Sequence, residues 1–414
     1  MPVVNAAAPD GCGWPDQSWR GDGQCVPTWR APGCDGPDRS IWWPAARVAA
    51  RTWRPLGNHQ RGVAMIRMLA LVAGWLAAVG IASPLHAGET GKFVEVSAAE
   101  QVARMGAGVN ILGYDPYWKP GGHGNYREEH FRAIGDAGFD TVRVVLFTFP
   151  YLDAHGVLDR QWLEKLDRVV EMGNRHGLNV ILDVHDFQEC AKEAATCAVR
   201  LKQVWSQLAP RYADQPASVV FELLNEPHGQ LDAAAWNALF PQLLAVVRES
   251  NPTRNVIIGP TRWNSFRELD SLRLPEDDRH LIATFHYYDP FEFTHQGASW
   301  VEPEITALKD VPFGTPEQVA QIGRDFDAVK AWSIRHDRPV LLGEYGAYDR
   351  APMDARVRWT DAVARAAEAR GFAHAYWQFS SDFVLYDFKR QAWVEPILRA
   401  VIPDPERPVQ GAGN

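Results

Sequence analysis

From residue 105 onward, apolar β-branched runs alternate with helical stretches, and this alternation restricts the fold more than any other feature of the chain. The strand candidates are residues 105–113 (MGAGVNILG), 140–146 (DTVRVVL), 179–185 (NVILDVH), 219–226 (VVFELLNE), 255–260 (NVIIGP), 281–288 (LIATFHYY), 339–346 (PVLLGEYG) and 373–379 (AHAYWQF). Between most of them, apolar residues recur at steps of three and four, as in QWLEKLDRVVEMGNRHG, and Gly138 and Gly177 stand where helices should stop. The least regular of these connections surrounds SFRELDSLRL. Eight strands alternating with helices predict an α/β fold, a (β/α)8 TIM barrel. The competing architecture is an open doubly wound sheet. That fold usually carries a glycine-rich phosphate turn after its first strand, whereas here the first strand is followed by GYDPYW.

A barrel works at the C-terminal ends of its strands, so the residues found there matter most. The second strand carries Arg143, the third ends His185-Asp186-Phe187 and the fourth ends Asn225-Glu226. The sixth ends His286-Tyr287-Tyr288, the seventh Glu344-Tyr345 and the eighth Trp377-Gln378. Any one of these alone is ordinary, because a strand-end Glu commonly caps a helix or pairs with a cation. Glu226 and Glu344, from strands four and seven, would instead face each other across the mouth. Two facing carboxylates are the equipment of glycoside hydrolysis, one giving a proton and the other attacking the anomeric carbon. Glu222, on the same strand face as Glu226 and deeper, reads as an ion-pair member inside the barrel.

The bulk composition fits this picture. The chain of 414 residues is 46% apolar and 22% charged, enough to bury a large core. Its net charge of −9, with no basic block, argues against nucleic acid as a partner. It has 17 Trp, and flat aromatic rings serve sugar clefts as stacking platforms as readily as they serve cores. Trp118, Trp263 and Trp300 follow strands or lie in rim loops and are the platform candidates.

The segment before the barrel has a different character. Residues 1–64 are rich in Pro, Gly, Trp and Arg, with no strand or helix period. They are expected to be a disordered upstream extension that does not belong to the native protein, whose start would then be Met65; the alternative is a genuine extension with a signal anchor. Residues 65–87 have the shape of a signal peptide: Met65 and Arg67, an apolar run over 69–82 too short for a stable membrane span, and a cleavage site ending at Ala87. The catalytic domain is expected over 88–402 and a C-terminal tail over 403–414, with the mature protein secreted or periplasmic and monomeric. Of five cysteines only Cys190 and Cys197 lie beyond the leader; in an exported protein they read as one local disulfide, the alternative being two unrelated thiols. No paired Cys/His spacing suggests a metal, and neither metal nor organic cofactor is expected.

NEP after a strand, HYYDPFEFTHQGASW (286–300), LLGEYG (341–346) and AYWQF (375–379) together resemble glycoside hydrolase family 5, the cellulase family, over about residues 100–400. The resemblance implies a retaining (β/α)8 hydrolase. It implies Glu226 as acid/base, Glu344 as nucleophile and Asn225 on the sugar 2-hydroxyl. Arg143 would sit beside Glu344 and keep it ionised, His185, His286 and Tyr288 would be supporting polar residues, and Trp377 a sugar platform. One departure is visible: many members have a second His, or a His then an aromatic, after the strand-three His, and here Asp186 follows, with Phe187 next. The simplest role for Asp186 is a structural hydrogen bond to a loop amide. His123, His155 and His295 are read as loop histidines, His295 with possible access to the rim.

The resulting expectation is an exported endo-β-1,4-glucanase whose partner is a β-glucan. Within the same class, mannan, xyloglucan or mixed-linkage glucan are alternative substrates. A non-catalytic glycan-binding barrel would have no need of two glutamates. A phosphate-binding barrel isomerase would need a phosphate loop after strands seven and eight.

Overall fold

The structure, a computed structural model, describes residues 92–403 apart from 120 and 123. The expected extension, the signal peptide, nearly all of the tail and His123 lie outside the described residues.

Eight strands close into a parallel barrel: β1 (Ala107–Ile111), β2 (Thr141–Leu146), β3 (Asn179–Val184), β4 (Val219–Glu222), β5 (Val256–Ile258), β6 (Leu281–Tyr287), β7 (Val340–Tyr345) and β8 (Ala373–Tyr376). Each pairs with the next, and β8 returns to β1. All eight stand where the apolar runs place them, and all are shorter than those runs.

Strand alternation sorts side chains into two environments. Val142, Val144 and Leu146 of β2, Val180 and Leu182 of β3, and Val219 and Phe221 of β4 point outward into the core shared with the helices. The residues between them point inward. At the bottom of the interior, Ile181, Val220, Ile257, Ile282, Leu341 and Ala373 form an apolar layer. That layer is sealed by Ala98, Val102 and Met105 of α1 (Ala98–Met105), a helix ahead of the first strand that the strand–helix rhythm does not announce. Above it the interior turns polar, with Asn110, Arg143, Asp183 and Glu222 all buried. The register places Asn110 beside Arg143 and Asp183 beside Glu222.

The outer helices are α2 (Glu128–Asp136), α3 (Arg160–Arg175), α4 (Phe187–Lys192), α5 (Ala194–Arg211), α6 (Ala233–Arg248), α7 (Pro316–His336), α8 (Met353–Glu368) and α9 (Glu395–Val401). Gly138 and Gly177 follow α2 and α3 with φ of +97° and +72°, conformations that favour glycine. The irregular connection after β5 is a 3₁₀ turn, Phe266–Ser271, instead of an α-helix. Between β3 and β4 the chain makes two helices where the pattern suggests one, and a disulfide from Cys190 to Cys197 bridges the break at Glu193.

Candidate active site

β4 ends at Glu222, earlier than its apolar run. Leu223 and Leu224 remain buried, but Asn225 and Glu226 stand on the loop above the strand, and Glu226 has a φ of +42°. A non-glycine residue there is uncommon and costs energy. His185, Tyr288 and Trp377 likewise sit one residue past β3, β6 and β8. These residues thus crown their strands, whereas Arg143, His286 and Glu344 lie within β2, β6 and β7.

Arg143 is the hub of the polar layer. Its guanidinium has five N–H donors, and all five are used. Nε and Nη2 donate to the two carboxylate oxygens of Glu222 at 2.7 and 2.9 Å. Nη2 also donates to Asn225 Oδ1 at 2.8 Å. Nη1 donates to Asn110 Oδ1 and to Glu344 Oε1, each at 2.8 Å. Asp183 Oδ2 lies 3.1 Å from Nη2. One buried cation therefore serves three buried carboxylates, and it cannot fully stabilise them all. Burial pushes Asp183 and Glu222 up to about 7 each, against the opposing pull of Arg143.

His185 links this layer to the rim. Its Nδ1 lies 2.6 Å from Asp183 Oδ2, and its Nε2 is 3.2 Å from Asn225 Nδ2. Burial drives the ring down to about 3, so it is neutral. The arrangement that satisfies every partner has Nδ1–H donating to Asp183 and Nε2 accepting from Asn225. Asn225 is then held at both ends of its amide by buried groups.

The two glutamates meet as the sequence expects. One oxygen of each, together with His286 Nδ1, lies within 4.8 Å of the others. Glu344 Oε2 accepts from the Tyr288 hydroxyl at 2.9 Å, and Glu226 Oε1 lies 2.8 Å from His286 Nδ1. Burial and then the charge of Glu344 hold Glu226 well above the usual carboxylate range. Burial lifts Glu344 too, while Arg143 pulls it back. Arg143 sits beside Glu344 and favours its ionised form as expected, but burial is the larger effect and Arg143 limits the rise. Since only Glu344 has an arginine at 2.8 Å, the shared proton belongs on Glu226. Glu226, His286 and Glu344 could supply three ligands to a cation. Their hydrogen bonds to one another and to Arg143 and Tyr288 already account for the arrangement.

The aromatic candidates divide. Trp377 lies parallel to His185, ring centres 5.7 Å apart and 8° from coplanar. Trp263 is about half exposed and stacks on His228 at 4.5 Å, and Trp300 is exposed beside Tyr348. Trp118 is a correction. It is buried against Trp162 of α3, and its indole N–H donates to Leu112 O at 3.1 Å, so its faces belong to the core. Tyr114, absent from the candidates, is 64% exposed after β1 and packs on Phe147, which packs in turn on His185. Asn110, Asp183 and Asn264 also escaped the sequence reading. For Asn110 and Asp183 a signal existed, a polar residue at an inward position of an otherwise apolar strand.

Asp186 accepts from the backbone N–H and hydroxyl of Thr148 at 2.7 and 2.6 Å and from Phe149 N–H at 3.1 Å, so it ties the β2 loop to the β3 loop. Glu222 is the expected ion-pair member. His295 is buried between Tyr288 and Phe291.

With this geometry in hand, known proteins give a consistent picture. Residues 102–383 match the profile of Cellulase (glycosyl hydrolase family 5). The chain is 31% identical over 325 residues to Endoglucanase H of Acetivibrio thermocellus, covering 74% of this chain and 34% of that protein, and so spans about a third of that relative's length. A solved endoglucanase is 38% identical, with a TM-score of 0.70 over 74% of this chain and all of that one. Endoglucanase Cel5A of Thermotoga maritima, solved in complex with mannotriose, is 32% identical with a TM-score of 0.69, over 74% of this chain and all of that one.

Proposed function

The chain belongs to the cellulase family, glycosyl hydrolase family 5, and from that premise we propose that it is an endo-β-1,4-glucanase that cleaves with retention through a covalent glycosyl-enzyme. One observation carries this reading. Glu226 and Glu344 each bring an oxygen within 4.8 Å of the other, with His286 Nδ1 2.8 Å from one and 3.6 Å from the other, a close approach that fits the ~5–5.5 Å arrangement of retaining pairs.

The surroundings assign the roles. Glu344, with Arg143 and Tyr288 on its oxygens, is the nucleophile that bonds the anomeric carbon as the glycosidic bond breaks. Glu226 holds the proton and gives it to the departing oxygen. When Glu344 becomes an ester its charge disappears, one cause of the raised Glu226 affinity is removed, and Glu226 is set to take a proton from the incoming water. Asn225, clamped by Arg143 and His185, presents its amide to the sugar 2-hydroxyl. Trp377 is the platform beneath that sugar, and the exposed Trp263 and Trp300 are the candidates for platforms under further sugars. Export is part of the proposal, supported by the signal-like segment 65–87 and by the Cys190–Cys197 disulfide.

The test is hydrolysis of carboxymethylcellulose, mixed-linkage glucan, xylan and mannan with sizing of the products. Soluble β-1,4-glucan should be the best polymer, and early products should span many lengths. A second reading, a mannan-cleaving enzyme, draws on the mannotriose complex of the similar Cel5A. Mannan cleaved much faster than any glucan would establish it in place of the first.

A further inference from the structure

Behind the glutamates, Arg262, Trp263 and Asn264 run consecutively in the left-handed region, with φ of +54°, +58° and +53°. None is glycine. A left-handed backbone is disfavoured for such residues, so three in a row must be compensated by what they place. The run turns Trp263 out to the cleft and drives Asn264 fully into the interior. There Asn264 Nδ2 lies 3.3 Å from His286 Nε2, and the other nitrogen of that ring lies 2.8 Å from Glu226 Oε1. Gly259 makes the space, since a Cβ on it would run into the Asn264 side chain. Ser265, the next residue, bridges to the His286 backbone and fixes the run against β6.

We propose that Asn264 is a positioning residue for proton delivery: by donating to His286 Nε2 it confines the ring proton to Nδ1, so that Glu226 Oε1 can only accept and its acid proton must reside on Oε2. The proposal rests on Glu226 being the acid. Neutral imidazole has one donor and one acceptor nitrogen, so what faces one nitrogen decides the state of the other. Burial holds His286 well below its ordinary range and keeps it neutral. The amide orientation is chemically preferred as well. The end of Asn264 that has no partner is its oxygen. The reversed amide would strand an NH2 group instead, and buried donors are orphaned more rarely than acceptors. The consequence is directional. With Oε1 occupied by a donor, the proton on the other oxygen is available to the leaving oxygen instead of being held by the histidine.

Two measurements test this. A joint neutron and X-ray structure of the full enzyme in heavy water should show deuterium on Nδ1 of His286 and none on Nε2. Deuterium on Nε2 overturns the proposal whatever Glu226 does. Kinetics of Asn264→Asp provide the second. An aspartate accepts from Nε2–H and leaves Nδ1 bare or the ring charged, so the Glu226 proton is drawn to the wrong side or lost. Cello-oligosaccharides, whose leaving group needs the proton, should slow by about 10²-fold or more, in line with the general-acid contribution. Formation of the intermediate from a 2,4-dinitrophenyl cellobioside, which needs no proton, should stay within a few-fold of wild type. Equal loss on both substrates would mean a structural role only, and Asn264→Ala should fall between wild type and the aspartate variant. If Glu226→Gln showed no leaving-group dependence, the assignment of Glu226 would fail while the tautomer result still stood on its own.

Discussion

Replacing Arg143 by Met should be the most damaging single change inside the barrel. The side chain donates five hydrogen bonds, to Glu222 twice and to Asn225, Asn110 and Glu344 once each, and touches Asp183 at 3.1 Å. Methionine fills similar space but leaves three buried carboxylates without their cation. Removing one partner of a buried pair costs about 3–5 kcal/mol. Here the loss stays near that range instead of multiplying, because Asp183 and Glu222 already lie at about 7 and can neutralise by taking up protons. A domain of this size loses roughly 2 °C per kcal/mol, so the midpoint should fall by about 6–10 °C by calorimetry at pH 5.5. The deficit should grow at pH 8, where protons are scarcer. Arg143→Lys keeps the charge with three donors instead of five. It should recover part of the stability, while the acid limb of kcat/KM moves to higher pH because three donors no longer serve Glu344 as closely as the guanidinium at 2.8 Å does. A methionine variant melting within about 2 °C of wild type at both pH values would refute the reasoning that this guanidinium holds the polar layer together.

Three further outcomes follow from the same geometry. Asp183 and Glu222 have folded-state affinities raised above their unfolded values, so the folded state binds more protons between about pH 4 and 7; their contribution to stability is present at low pH and is lost as pH rises through that window, and melting curves should show a flatter pH slope in Asp183→Asn. Glu344→Gln should lose turnover on every substrate, whereas Glu226→Gln should still form the intermediate from an activated aryl cellobioside; azide should then release a β-glycosyl azide, and an α-azide would reverse the stereochemical reading. Trp263→Ala should raise KM for long cello-oligosaccharides several-fold with little change in melting, while Trp118→Ala should cost about 3–5 kcal/mol of stability and leave KM alone; the opposite pattern would restore Trp118 as a platform.

Much of this was legible in the chain because strand physics is local. A run such as TVRVVL is β-branched and apolar, it must be buried, and eight such runs alternating with helices leave few architectures. Glu226 and Glu344 were legible for the same reason, as acids placed at the mouth by strands four and seven. What stayed hidden depends on partners distant in sequence. Trp118 and Trp263 both follow strands, and only the packing of Trp162 against one and of His228 against the other decides which ring is covered. The segment TRWN contains neither glycine nor an apolar period, so nothing local announces three left-handed residues or the burial of Asn264. The lift of Glu344 by burial was also out of reach, since it depends on how deeply the crown of loops encloses it. Helix α1 precedes the first strand, where the alternation has not yet begun, so the rhythm does not announce it.

Retention through a glycosyl-enzyme requires Glu344 to form the covalent bond. Incubation with 2,4-dinitrophenyl 2-deoxy-2-fluoro-β-cellobioside should trap the glycosyl-enzyme, and peptic digestion with tandem mass spectrometry should place the added sugar on Glu344 alone. Label on Glu226, or no label together with an α-anomer as the first product of cello-oligosaccharide hydrolysis, would contradict it.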